Sequence, residues 1–179
     1  MRFTELALPG AYLVDLEEHR DERGFFARTW CADEFAEHGL TTRISQCNLS
    51  YNVGRGTLRG LHFQDLPAPE AKYVRCIRGA IHMVIVDRRP DSPTYLQHVG
   101  VDLSAENRRG LYVPERCANG YQTLADEAEI AYQVSEFYTP AAERGMRYDD
   151  PALGIAWPLP VSTISDKDLA WPLLEGPAE

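Results

Sequence analysis

The sequence predicts a mainly β protein, an antiparallel sandwich or barrel with a few short helices, and three observations carry that reading. Short segments rich in β-branched and aromatic residues recur along the chain, divided at close intervals by Gly, Pro, Asn and Asp. No internal repeat or low-complexity stretch separates them. At 179 residues and 44% hydrophobic composition, the chain is long enough to bury one core without disulfides or a structural metal, so residues 1–179 read as a single domain.

In order, the strand-like segments are residues 11–16, 25–30, 42–49, 57–62, 72–77, 80–87, 95–103, 110–113, 121–124 and 130–135. Between the second and third lies the clearest helix, residues 32–38 (ADEFAEH), which opens on acidic residues and stops at Gly39. A second short helical turn is expected after Ser104 (SAEN). In the segment 80–87, Ile81, Met83 and Ile85 share one face while His82, Val84 and Val86 share the other, so both faces need cover, from a second sheet or a partner subunit. After Thr139 the chain is rich in Pro and carries Trp157 and Trp171, which places residues 139–179 across the barrel rather than in solvent.

Charge narrows the choice of partner. A formal net charge of −9 argues against nucleic acid and against an anionic membrane. Residues 43–89 nevertheless hold 8 bases and 3 acids, a local excess of +5 that suits a small anion. Without a run of about 18 apolar residues or a basic-then-apolar start, the chain reads as cytoplasmic. Cys31, Cys47, Cys76 and Cys117 lack C-x-x-C spacing and read as reduced, mostly packed thiols.

The chemistry concentrates around residues 54–64. Arg59 and His62 lie three residues apart, so on a regular strand they project to opposite faces; a bulge at Gly60 is needed to aim both into one cavity. A surface Arg beside a half-buried structural His is the plain alternative. Lys72 is one of only two lysines, has bulky neighbours, and could donate to a developing oxyanion. Gln46 and Asn48 share a strand face and offer neutral hydrogen-bonding groups. Tyr132 and Tyr138 could act as a general acid or as a stacking platform, and Arg23 and Arg28 could bind an anion.

Taken together these residues resemble the dTDP-4-dehydrorhamnose 3,5-epimerase family, nucleotide-sugar epimerases on a cupin-type β-barrel. The likeness runs from Asp21-Glu22-Arg23-Gly24-Phe25-Phe26 through Gln46-x-Asn48-x-Ser50, Leu58-Arg59-Gly60-Leu61-His62-x-Gln64 and Lys72-x-Val74-Arg75-Cys76. It continues through Tyr132 and Tyr138-x-Pro140 to Asp149-Asp150-Pro151, Ile155-x-Trp157-Pro158 and Ser165-x-Lys167-Asp168.

The resemblance implies that His62 removes the proton beside a 4-keto group and that Asp168 orients its ring. It assigns Lys72 to the enolate oxygen and Tyr132 to reprotonation from the opposite face. It gives Arg23 and Arg59 to the diphosphate, with Gln46 and Asn48 nearby, and makes Phe26 and Tyr138 the candidates to sandwich the nucleobase. It implies no metal and no redox cofactor, a nucleoside diphosphate 4-keto sugar as substrate, and a homodimer formed by exchanging amino-terminal strands, about residues 1–30, which would carry Arg23 and Phe26 into the neighbour's site.

Two positions depart from the family pattern. Asn119, in Ala118-Asn119-Gly120-Tyr121, stands where a histidine is usual in the sugar pocket, and Met83 stands where an aspartate is usual. Both are expected in the barrel interior, and they favour epimerisation at only C3 or only C5, another nucleotide sugar, or binding without turnover. A metal-dependent cupin oxygenase would need His62, His82 and His98 to converge, and His62 is followed by Phe63-Gln64 rather than by the His-x-His pattern.

Overall fold

Alternation of apolar and polar residues builds two antiparallel sheets in the computed structural model, which describes residues 1–174. The strands are β1 (Arg2–Glu5), β2 (Tyr12–Asp15), β3 (His19–Asp21), β4 (Gly24–Phe26), β5 (Gln46–Asn52), β6 (Leu58–Gln64) and β7 (Lys72–Arg78), followed by β8 (Ala80–Asp87), β9 (His98–Ser104), β10 (Gly110–Val113), β11 (Cys117–Thr123), β12 (Ala128–Val134) and β13 (Glu143–Gly145). Two short helices join them, α1 (Ala32–Glu37) and α2 (Asp166–Leu169). The larger sheet runs β1-β2-β10-β7-β12-β5, the smaller β13-β6-β11-β8-β9, and β3-β4 forms a separate hairpin. This is the mainly β, barrel-like architecture expected from the sequence.

Between the sheets, Ile81, Met83 and Ile85 pack against Val74, Leu111 and Ile130. The other face of β8 is covered by the chain itself rather than by a partner subunit. Val84 and Val86, with Leu61 and Phe63, lie beneath Met146, Leu153 and Trp157 of the carboxy-terminal segment. Trp157 Nε1 donates to the Tyr148 carbonyl at 2.9 Å, and the buried Gln122 side chain donates to the Leu159 carbonyl at 2.8 Å while accepting from the Leu159 amide at 3.0 Å. The chain then pairs Thr57 with Thr163 in parallel and enters α2, where the Ser165 hydroxyl accepts from the Asp168 amide at 3.1 Å. The packing expected of the tail is therefore present as far as residue 174; residues 175–179 lie outside the described residues.

Several boundaries differ from expectation. Residues 42–45 precede β5 as irregular chain, and β4 takes in only Phe25 and Phe26 of the segment expected at 25–30. The stretch after Ser104 is a turn, closed by Asn107 Oδ1 accepting from the Ser104 amide at 3.1 Å and the Ser104 hydroxyl accepting from the Asn107 amide at 2.9 Å. β1, β3, β13 and α2 were not foreseen, being short and poor in periodicity. Helix α1 forms where expected and buries Phe35 against Tyr73 and Tyr112. All four cysteines are free; Cys76 and Cys117 are packed, whereas Cys47 is exposed on β5.

Candidate active site

The bulge that Arg59 and His62 require is present. Asn119 on β11 faces His62 on β6, but Tyr121 faces Arg59, so the register shifts between them. Gly60 makes the shift at φ +121°, a conformation L side chains rarely adopt. Arg59 and His62 consequently line one cavity of about 210 Å³ with Lys72, Tyr121 and Tyr132.

His62 Nε2 lies 2.6 Å from Asp168 Oδ1, and Asp168 Oδ2 accepts from the Gly60 amide at 3.1 Å. One carboxylate thus holds both the imidazole and the bulge that aims it. Asp168 is only 3% exposed; burial works to raise its pKa, yet the hydrogen bond and charge of His62 hold it below the ordinary aspartate value. A neutral ring that donates Nε2–H to this carboxylate keeps its lone pair on Nδ1, as a general base requires.

Across the cavity, Lys72 and Tyr132 stand on β7 and β12 of the larger sheet, whereas His62 stands on β6 of the smaller one. Burial raises the pKa of the Tyr132 phenol, with the neighbouring Tyr121 and Glu70 adding to the effect, which keeps it protonated. Lys72 Nζ lies 2.9 Å from Glu70 Oε1. Arg59 Nε donates to Asn52 Oδ1 at 2.7 Å, and Asn52 together with Ser50 engages the Tyr121 hydroxyl. Both departures from the family pattern line this cavity: Met83 is 1% exposed, and Asn119 Nδ2 donates to the His62 carbonyl at 3.0 Å.

An adjoining cavity of about 340 Å³ shares His62, Lys72 and Tyr132 and adds Gln46, Asn48 and Tyr138. The strict alternation of β5 turns Gln46 and Asn48 inward together. Gln46 Oε1 accepts from the Tyr138 amide at 2.6 Å, the Tyr138 hydroxyl donates to Glu143 Oε2 at 2.7 Å, and Lys167 pairs with Glu143 at 2.5 Å. Tyr138 is 56% exposed and offers a ring at the mouth.

Three of the expected ligands stand elsewhere in the single chain. Arg23 and Phe26 belong to the exposed β3-β4 hairpin, with Phe26 stacked on His19 and Arg23 paired with Asp21. Arg28 pairs with Glu34 at 3.0 Å. The three histidines of a metal-centre reading do not converge: His82 pairs with Asp102 and packs against Trp157, and His98 is exposed on β9.

Glu70, Tyr121 and Glu143 enter the site without having been foreseen. Glu70 had a local signal, since it precedes Lys72 by two residues and an extended chain turns both to one side. Glu143 had none, because only the pairing of β13 with β6 brings it to the site.

Residues 5–176 match the family model for dTDP-4-dehydrorhamnose 3,5-epimerase. The chain is 46% identical to the dTDP-4-dehydrorhamnose 3,5-epimerase of Methanothermobacter thermautotrophicus, over 98% of this chain and 96% of the relative. It is 41% identical to a dTDP-4-dehydrorhamnose 3-epimerase of Streptomyces niveus, over 94% of this chain and 81% of the relative. The crystal structure of the dTDP-4-dehydrorhamnose 3,5-epimerase of Bacillus anthracis, solved with TDP and PPi bound, superposes with a TM-score of 0.93 at 39% identity, covering 97% of this chain and 99% of that one.

Proposed function

Because the chain belongs to the dTDP-4-dehydrorhamnose 3,5-epimerase family, we propose that it is an epimerase acting at C3, C5 or both of a nucleotide-linked 4-keto-6-deoxy sugar, such as dTDP-4-dehydro-6-deoxyglucose. One observation carries the reading: a base held by a carboxylate and a half-buried phenol stand on opposite sheets of one cavity. Inversion at carbon requires proton removal on one face and proton return on the other, and a sugar ring lying between the sheets presents one face to each.

The ketone at C4 acidifies the protons at C3 and C5. His62 takes such a proton, helped by Asp168, which stabilises the imidazolium that forms. The electron pair moves onto the C4 oxygen as an enolate, and the Lys72 ammonium meets that charge where it develops. The phenol of Tyr132, kept protonated by burial, returns a proton from the other side. Arg59 holds the diphosphate, with Gln46 and Asn48 beside it, and Tyr138 stacks on the nucleobase.

This reading takes Arg23, Phe26 and Arg28 as ligands delivered between copies. The β3-β4 hairpin that carries Arg23 and Phe26 is exposed, while β1 and β2 belong to the chain's own larger sheet, so insertion of that hairpin into a second copy, with Arg28 just beyond it, would close the base-binding slot between Tyr138 and the partner's Phe26. Sedimentation is expected to give twice the chain mass, and Arg23→Ala with Phe26→Ala to weaken dTDP binding. A monomer with full dTDP affinity overturns this part of the reading.

The deciding experiment follows sugar protons by NMR in deuterated water with dTDP-4-dehydro-6-deoxyglucose. Loss of proton signal at C3 and C5 identifies a double epimerase and loss at one carbon a single-site enzyme; no loss from a bound sugar defeats the proposal. A single-site outcome is favoured by Met83 and Asn119, which take a carboxylate and a chargeable imidazole from the cavity lining. Asn119→His is expected to change the ratio of the C3 and C5 exchange rates, and an unchanged ratio frees position 119 from that role.

A further inference from the structure

The group that holds Lys72 is a residue of this chain with no role so far. Glu70 lies just before β7, its Oε1 2.9 Å from Lys72 Nζ, and the two side chains are enclosed to 10% and 13% exposure. Among the described residues it is the one carboxylate within ion-pair distance of that ammonium. Met83, which lines the smaller cavity beside Lys72, offers no counter-charge. Glu70 also lines the larger cavity together with Tyr132 and His62.

A lysine's flexible four-carbon stem samples many rotamers, so an unrestrained ammonium is a diffuse charge. An oxyanion is stabilised best by a donor fixed in advance where the charge will appear. A carboxylate at 2.9 Å limits the ammonium to a narrow arc and leaves its remaining N–H donors for another acceptor. We propose that Glu70 is a positioning residue, fixing the Lys72 ammonium at the cavity wall for the enolate oxygen. The role rests on the epimerase reading above. The same carboxylate opposes ionisation of the Tyr132 phenol, after the larger effects of burial and Tyr121.

The test measures sugar-proton exchange, dTDP affinity by calorimetry and melting temperature in Glu70→Ala, Glu70→Gln, Lys72→Ala and the Glu70→Ala/Lys72→Ala double variant. Glu70→Ala is expected to lower kcat about tenfold, less than the ~10²–10³-fold loss from removing an oxyanion donor outright, with KM and dTDP affinity unchanged. Glu70→Gln keeps an oxygen that accepts from Nζ and is expected to restore kcat to within about threefold. Adding Glu70→Ala to Lys72→Ala is expected to cost nothing further, because the effect passes through the lysine.

An unchanged kcat in Glu70→Ala, a Gln variant as slow as the Ala variant, or a further tenfold loss in the Lys72→Ala background each overturns the role. Wild-type protein that exchanges neither carbon overturns the epimerase reading itself, and this role with it. Wild-type exchange with an indifferent Glu70→Ala removes this role alone.

Discussion

His62→Ala is expected to abolish proton exchange at the sugar carbons while the barrel still folds, with a modestly lowered melting temperature. General-base catalysis is worth about 10²–10⁴-fold, and no second imidazole reaches the cavity to substitute: His82 lies under Trp157 and His98 on an exposed strand. Truncating the 33%-exposed His62 side chain leaves no sealed void, so the stability cost is that of the hydrogen-bond partner lost by the nearly buried Asp168 carboxylate, about 1–3 kcal/mol.

Asp168→Asn is the informative companion. The carboxylate accepts from two donors at once, the His62 ring and the Gly60 amide, whereas a carboxamide has one acceptor oxygen. One donor therefore faces an NH₂ group in a buried setting, at a cost of about 1–3 kcal/mol. Exchange is expected to fall by roughly 10²-fold through loss of ring orientation and imidazolium stabilisation. Both losses are read by exchange NMR beside thermal melts. Exchange retained in His62→Ala would show that a different group is the base.

What the sequence disclosed depended on how local the signal was. Apolar residues on both sides of residues 80–87 announced a strand with two covered faces, and these residues form β8. The covers are non-local, and the outer one comes from Met146, Leu153 and Trp157, far along the same chain. The spacing of Arg59 and His62 could be read as a demand for a bulge at Gly60, because the period of a strand is fixed by its geometry. Asp168 gave no such signal: its place beside His62 depends on the parallel pairing of Thr57 with Thr163 and on the turn of α2, so only family resemblance pointed to it. Resemblance in turn passed over Glu70, whose role depends on the side chain it meets in this particular cavity.

Gly60→Ala is expected to be the most destructive single-methyl substitution at the site. A Cβ at Gly60 would stand 2.6 Å from Gly120 Cα and 2.9 Å from the Asn119 carbonyl oxygen, both main-chain atoms of the neighbouring strand β11. Main chain in mid-sheet cannot step aside as a flexible side chain can, so β6 or β11 must move. The φ of +121° adds conformational strain for any residue with a Cβ. Strain of about 1–3 kcal/mol and overpacking of a similar size give a loss of roughly 2–6 kcal/mol.

At about 2–4 °C per kcal/mol for a chain of this size, the melting temperature drops by roughly 4–24 °C. Catalysis suffers separately, since the Gly60 amide is a ligand of Asp168 and the bulge brings Arg59 and His62 to one side. Exchange measured well below the melting transition is therefore expected to fall as well. Gly54→Ala is the matched control in the preceding loop, where an added Cβ meets no atom within 4 Å, and it should behave as wild type. Wild-type melting and exchange in Gly60→Ala would mean that β6 can present Arg59 and His62 to one cavity without a glycine at its bulge, and the coupling drawn between strand irregularity, carboxylate and base would fail with it.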